Sequence, residues 1–490
     1  MKDYKVLVGG EWVDTSSDCT TISDPATGEI VSCIPALTAE HVDSAVTAAR
    51  AALESSNWAF DGRLRSEVML VWADKIAANV DSLAECLTME NGKLLSEAKF
   101  EISNQVNVVR YNAGLARTVS GRSHSFGQEV MGVVVREPIG VVAVISPWNW
   151  PISLMVRDLA PALAAGNAVL CKPASQTAGI CVAVLRLLAE CSDLPSGILS
   201  MLTGSGSKVG QSMVVHPGID MIAFTGDGST GRRIARDAAD TLKKIVLELG
   251  GKSPFVICAD ANLEKAIPEL VSAVFTTTSG QICTAPSRLV VESSIKNEVC
   301  VRLTDAIRDI RVGSGFDPES QMGPLTTAEQ YEKVLSYVEM GKKEGTLIAG
   351  GEPVAGASSE KGFFVNPVIF ADVDPKSALA QDEIFGPVLV VQTFDDDDEA
   401  VRLANDSPFG LAAAVFTDNV HRAWKLSRAI QAGTVWVNTY NRFYAETEVG
   451  GYKTSGIGRM AGIDGLMEFT QTKHINFDST APSGKAGRTG

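Results

Sequence analysis

Residues 140–173 read GVVAVISPWNWPISLMVRDLAPALAAGNAVLCKP. A short β-branched run (140–146) gives way to a helical pattern from Leu154 to Ala165, then to a second apolar run (167–173). Each run is apolar throughout rather than alternating, as a strand covered on both faces requires. The pattern continues as a helix over 177–191 and two further strands, ILSMLTG (198–204) and MIAFTG (221–226). Strand–helix–strand repetition of this kind predicts a parallel sheet in an α/β fold, with ligands bound at the carboxyl ends of its strands.

A second alternation begins at Pro254: PFVIC, a helix from Leu263, RLVVE, a helix over 295–310, then PVIFADV, PVLVVQTF, AAAVFT and GTVWVN. Two α/β units in tandem suit a chain of 490 residues, which exceeds what one core usually organises. Residues 118–135 alternate in polarity and predict an antiparallel arm. No internal repeat is present.

A net charge of −15 argues against a phosphate-neutralising surface and so against nucleic acid as a partner. The acidic run 395–399 precedes AVRLAND and reads as the start of a helix, where carboxylates meet the positive end of the dipole, rather than as a metal site. No stretch of some 18 apolar residues suggests a membrane span. The nine cysteines are scattered without C-x-x-C spacing, which fits a reducing, cytoplasmic setting and no structural zinc.

Two glycine-rich turns follow strands of the first unit, Gly204–Gly210 (GSGSKVG) and residues 223–233 (AFTGDGSTGRR). Such turns either let a backbone approach a pyrophosphate or serve tight strand-to-helix packing, and two on successive units favour a nucleotide crevice. Lys172 and Ser175 end another strand of that sheet, where a lysine reaches ribose or phosphate or is simply solvated. In PWNWP, Trp148 and Trp150 are core or wall, while the Asn149 carboxamide needs partners, an oxyanion among them. Glu248, closing the apolar strand before Gly-Gly, is either ion-paired or raised in pKa, as a general base near neutrality must be.

In TTTSGQICTAPSR (276–288), Cys283 is either an inert filler or a nucleophile. Its small polar neighbours favour the nucleophile, and a turn entering a helix there would stabilise the thiolate. The five histidines lie outside these motifs, which disfavours a Cys–His pair.

Together GGEWVD, PATGE, PWNWP, PALAAGNAVLCKPA, FTG, LELGGKSP, GQIC, EIFGPVL, ANDSPFGLAAAVFT and GGYKTSGIGR resemble the aldehyde dehydrogenase superfamily in order and spacing over essentially the whole chain. The resemblance implies two Rossmann-like parallel-sheet domains plus a small antiparallel oligomerisation arm: a cofactor-binding domain of residues 1–115 and 139–249, a catalytic domain of 250–452, and an arm of 116–138 and 466–485. It implies a small-molecule aldehyde as substrate, a homodimer or homotetramer, and NAD or NADP as cofactor. Cys283 is then the nucleophile, Asn149 and the Cys283 N–H the oxyanion donors, and Glu248 the base that hydrolyses the thioester. Ile145, Trp148, Lys172, Ser175, Gly206, Gly210, Gly226, Asp227, Leu249, Gly250, Glu383 and Phe385 fall at the family's cofactor positions.

Three departures stand out. Ser175 replaces a frequent glutamate, removing a repulsion against a 2′-phosphate, so NADP is expected to be accepted. Asp227 replaces a small residue beside the pyrophosphate and must turn away or pair with Arg232 or Arg233. Val449 stands where a phenylalanine commonly walls the substrate tunnel. Trp150 and Arg157 also fall at tunnel positions; Arg157 either meets a substrate carboxylate or hydroxyl, or pairs with a neighbour such as Asp158. Two other readings compete with a hydrolytic enzyme: a coenzyme A-acylating relative, disfavoured by Glu248, and a non-catalytic protein retaining the fold.

Overall fold

The computed structural model describes residues 2–15, 19–352, 354 and 362–479. The first sheet runs in the order Leu199–Met201, Ala168–Lys172, Val141–Ile145, Met221–Thr225, Lys244–Glu248 and Gly456–Ile457, parallel except for the last strand. Strands 141–144 and 168–172 are buried residue by residue, as their unbroken apolar runs demand. The order reverses at Val141–Ile145, which lies between the strand that follows it and Met221–Thr225. Register sets the carboxyl ends level there: Ile145 lies opposite Lys172, and Thr225 opposite Glu248. A crevice opens at such a reversal.

The second sheet runs Thr346–Gly350, Val368–Ala371, Val388–Phe394, Arg288–Glu292, Pro254–Ile257, Ala412–Phe416 and Thr434–Val437, parallel but for the 346–350 edge. Thr470–Asp478, Val130–Pro138 and Arg122–Ser125 form the antiparallel arm. The part of the expected arm at 480–485 lies outside the described residues.

Several expectations need adjustment. The helix expected from Leu154 spans Pro151–Ala165, because Pro151 takes the first helical position, where its missing N–H costs nothing. The helix expected over 177–191 is Ala178–Ala189, and the strand expected over 198–204 is only Leu199–Met201. The acidic run does start a helix, Asp397–Asn405, with the Asp396 carboxylate accepting the Glu399 N–H at 2.9 Å. The scattered cysteines are not all free: Cys19 and Cys33 form a disulfide between the paired strands Cys19–Ser23 and Ile30–Pro35. A spacing of 14 residues holds no hint of that contact.

Asn167 joins the first sheet to the arm. Its side chain donates to Ala162 O and Phe469 O and accepts from Gly140 N, and its carbonyl takes the Trp58 indole N–H at 3.0 Å. Trp58 has no exposed surface. Trp58→Ala removes both the ring and the bond and is expected to destabilise by about 3–5 kcal/mol. A thermal melt should drop by several degrees, and an unchanged melting temperature would contradict this role.

Candidate active site

The nucleophile loop is bent by its own backbone. Thr278, Ser279 and Gly280 have φ of 45, 54 and 75°, three consecutive residues in the left-handed region, two of them bearing side chains. Such residues cost about 1 kcal/mol or more each and persist only where the surroundings hold them. The holders are long-range: Glu97 Oε1 accepts Thr278 N at 2.8 Å, Ser279 Oγ donates to Gly323 O at 2.7 Å, and Gln281 Oε1 accepts Thr326 N at 3.0 Å. The expected helix after Cys283 is absent. Cys283 sits in a turn that runs into the strand Arg288–Glu292, so no helix dipole reaches it.

Burial, together with the fields of Glu383 and Glu248, pushes the Cys283 thiol up to about 12, and Arg157 opposes them. The backbone of Cys283 abuts Gly251, where an added Cβ would fall 2.5 Å from Cys283 O. Thus Gly251, the second glycine after Glu248, is needed for contact with the nucleophile. Asn149 is buried and donates Nδ2–H to Gln281 O at 2.8 Å, which fixes its amide beside the loop. None of the histidines reaches this loop: His216 pairs with Asp43, His41 bonds Thr38, His124 stacks on Phe126, His474 lies in the arm strand, and His421 opens the helix Val420–Ala429.

Glu248 closes the strand Lys244–Glu248. Burial raises its carboxyl to about 7, against the lowering effect of Arg157, with Asp158 raising it and Arg459 lowering it. Its Oε1 is buried with no hydrogen-bond partner, and Oε2 lies 4.0 Å from Arg157 Nη1. Both readings of this glutamate therefore hold at once. Arg157 also has its pairing with the neighbour: Nε donates to Asp158 Oδ1 at 2.7 Å, and Nη2 to Thr225 Oγ1 at 2.5 Å. The guanidinium is held by the protein's own groups.

At the adenosine end expected for the cofactor, Ser175 Oγ donates to Gly204 O at 3.3 Å, and an added Cβ on Gly210 would sit 3.6 Å from the Lys172 methylenes. Gly206 has open space where a side chain would be. Lys172 is buried, donates only to Pro173 O at 3.2 Å, and burial brings its ammonium down to about 8. A buried amine so poorly partnered fits a polar ligand. At the other end, Glu383 Oε1 accepts Gly251 N at 3.1 Å, and burial raises its carboxyl to about 7. A Cβ on Gly250 would fall 2.1 Å from Glu383 Oε2, so only glycine leaves this carboxylate its place. Phe385, at φ 64°, meets Trp148 edge to face at 5.5 Å. Ile145, at the end of its strand, and Leu249, packed under Gly231, complete the line between the two ends.

Asp227 makes no ion pair with Arg232 or Arg233 and turns its carboxylate onto its own helix. It caps the helix Gly228–Ala239, accepting Ser229 N at 2.8 Å, Thr230 N at 3.1 Å and the Ser229 hydroxyl. Burial works to raise this carboxyl, but the three bonds hold it below the usual carboxylate range. Asp227 thus occupies two amides, those of Ser229 and Thr230, at the helix end expected to face a pyrophosphate, and Gly226 packs against Phe224. Val449 bridges to Met460 through two backbone bonds of 2.8 Å and packs on the first core, so it carries structure as well as any wall.

Residues that the sequence did not single out support Asn149. Lys93 Nζ donates to Glu101 Oε2 at 2.5 Å and to Asn149 O at 2.9 Å, and lies 3.9 Å from the centre of the Trp150 ring. Glu101 Oε1 accepts Ile152 N and Ser153 N, both at 2.9 Å. The one available signal, Glu97 and Glu101 at i,i+4 just after Lys93, reads equally as a solvated helix face. Lys93→Met leaves Glu101 buried without its cation and is expected to destabilise by about 3–5 kcal/mol. Adding Glu101→Gln should recover much of that stability but not kcat, because the Asn149 carbonyl stays unanchored. Full kcat in the double variant would refute this role.

Residues 12–475 match the model of the Aldehyde dehydrogenase family. A betaine aldehyde dehydrogenase of Bacillus subtilis (strain 168) is 36% identical over 482 residues, 98% of each chain. A mitochondrial aldehyde dehydrogenase of Leishmania tarentolae is 40% identical over 97% of this chain and 95% of its own. Among solved structures, betaine aldehyde dehydrogenase of Staphylococcus aureus in complex with NAD+ superposes with a TM-score of 0.95 at 35% identity, covering 99% of this chain and 97% of that one. The glycine-hinged cysteine loop, the buried glutamate at the strand end and the matches along the whole chain agree: this chain belongs to the aldehyde dehydrogenase family.

Proposed function

We propose that this protein oxidises an aldehyde to the carboxylic acid with NAD+ or NADP+, through a covalent thioester on Cys283. The observation that carries the reading is Glu248: a buried carboxyl near neutral pKa, with one oxygen free, two residues before the Gly250-Gly251 pair that abuts Cys283. In the first half-reaction the Cys283 thiol loses its proton to solvent, and the sulfur forms a C–S bond to the aldehyde carbon as the C=O π pair moves to oxygen. The Asn149 amide and the Cys283 N–H stabilise that oxyanion, and its collapse breaks the C–H bond as hydride to leave the thioester. When bound, the dinucleotide supplies the hydride acceptor and a positive charge. In the second, Glu248 Oε1 takes a proton from water, a C–O bond forms at the thioester carbon, and the C–S bond breaks with its electron pair returning to sulfur.

Lys172, Ser175, Gly206 and Gly210 would hold the adenosine end of the cofactor, and Glu383, Gly250, Leu249, Ile145, Trp148 and Phe385 the nicotinamide end. Trp150 and Val449 remain our candidates for tunnel walls. Gly226 and Asp227 would lie beside the diphosphate at the start of the 228–239 helix, where Asp227 accepts the Ser229 and Thr230 amides. Ser175 presents no carboxylate to a 2′-phosphate, which supports acceptance of NADP. The catalytic unit would be 250–452 and the cofactor unit 1–115 with 139–249.

The strand Thr470–Asp478 is exposed at eight of its nine positions, Phe477 among them. Its place as the outer strand of the three-stranded arm supports a homodimer or homotetramer assembled through an arm of 116–138 and 466–485. No helix among the described residues is long and apolar enough to cross a membrane. Seven unpaired cysteines favour the cytoplasm, with the Cys19–Cys33 pair standing against it.

Initial rates on aliphatic, aromatic and ω-carboxylated aldehydes, with betaine aldehyde in the panel, test the activity. Cys283→Ala should abolish both the NADH burst and turnover. Glu248→Gln should keep the burst while steady turnover falls roughly 10²–10⁴-fold. Thioester hydrolysis should rise with pH through about 7, because only the carboxylate form accepts the proton. The ratio of kcat/KM for NADP+ and NAD+ tests Ser175; a tenfold or greater preference for NAD+ removes that inference. A burst that turns over only when coenzyme A is added would favour the acylating alternative.

A further inference from the structure

The only cation within 4.0 Å of Glu248 among the described residues is Arg157, whose side chain is 15% exposed. Its orientation is fixed from the other side. Nε and Nη2 are bonded to the Asp158 carboxylate at 2.7 and 3.3 Å, and Nη2 also to Thr225 Oγ1. Thr225 is the strand partner of Glu248, so the backbone register of the sheet sets the distance between guanidinium and carboxylate. At 4.0 Å the contact is too long for a hydrogen bond but well within strong Coulomb reach. Oε1 is buried and makes no hydrogen bond, so its capacity to accept one is unused.

We propose that Arg157 is a positioning residue for deacylation: held by Asp158 and Thr225 just beyond hydrogen-bond range of Glu248, it favours the ionised base without occupying the oxygen that must accept the proton. A bonded arginine would lock the carboxylate and compete with water. With no cation, the buried carboxyl would stay protonated at neutral pH. Asp158 limits the effect from behind, because one guanidinium answers two buried carboxylates. The other charged groups that bear on Glu248 are Arg459, from the turn beside the 456–457 strand, and Cys283 once ionised. Nε and Nη2 are held by protein groups, which supports the positioning role over a subsite for a substrate carboxylate.

The inference rests on Glu248 being the deacylating base, and two variants of opposite sign test it separately. In Asp158→Asn the guanidinium is left wholly to Glu248, and the pH midpoint of thioester hydrolysis should move down. In Arg157→Met/Asp158→Asn no buried charge is stranded, the cation is lost, and the midpoint should move up by about one unit or more. The readout is decay of the acyl-enzyme in a single turnover, by quenched flow and mass spectrometry, across pH 5–9 (roughly two units either side of neutrality). Burst amplitude and cofactor Kd should hold in both variants, the burst rate falling only in the double variant, where the cation that also lowers the Cys283 thiol is lost, and Arg157→Lys should restore part of the shift.

Unmoved midpoints in both variants overturn the proposal. If the double variant does not fold, Asp158→Asn alone decides: a downward shift supports it, and none, or an upward one, overturns it. Normal deacylation in Glu248→Gln would instead remove the underlying assignment of the base.

Discussion

A buried ion pair anchors the chemistry. Lys93 and Glu101 have fully buried side chains, and around their 2.5 Å contact the loop before one helix, the first turn of another and the PWNWP turn are tied together. Two charges withdrawn from water are sustained only when every remaining polar atom finds a partner. Here the lysine also reaches the Asn149 carbonyl and the Trp150 face, and the second carboxylate oxygen takes two amides of the 151–165 helix. The Asn149 amide is therefore aimed by its backbone before any substrate arrives. Preorganisation of this kind is what makes an oxyanion donor effective.

From the same segment Glu97 reaches across to Thr278 N, and Asn91 to Trp148 O and Thr326 Oγ1. The short stretch 91–101 thus fixes both the amide turn of the first unit and the left-handed cysteine loop of the second. The strain of the two left-handed residues that bear side chains, Thr278 and Ser279, is localised where these bonds are densest. It places Cys283 in a turn whose backbone abuts Gly251, a position a helix could not offer. The same choice removes the helix dipole that would have acidified the thiol.

The parts of this molecule that follow from local pattern were legible in advance. Strands 141–145 and 168–172 are covered on both faces and so are apolar at every position, and Glu248 closes such a run before a Gly-Gly that only close backbone contact explains. Parts that depend on partners far along the chain were not. TTSGQIC holds one glycine, and its turn exists because Glu97 and Thr326, 181 and 45 residues from their partners, bind it. Cys19 and Cys33, and the Arg157–Glu248 approach, are likewise products of sheet register. Asp227 was legible as an anomaly, and its resolution was local: Asp followed by Gly-Ser-Thr is an N-cap sequence.

Charge then links the site's parts. Glu248 and Glu383 are both raised to about 7 by burial, and the Cys283 thiol to about 12, with Arg157 as the nearest cation and Asp158 already drawing on it. An ionised sulfur would add a third anion to this cluster, so without cofactor the site favours a neutral thiol. A bound dinucleotide, which Glu383 would help to hold, would supply a positive charge that favours the thiolate. Asp227 fits the same logic, since by capping its own helix it keeps another anion hydrogen-bonded and turned toward the helix. Burial and two carboxyls thus hold the resting Cys283 thiol neutral, and a nearby positive charge would favour its ionisation.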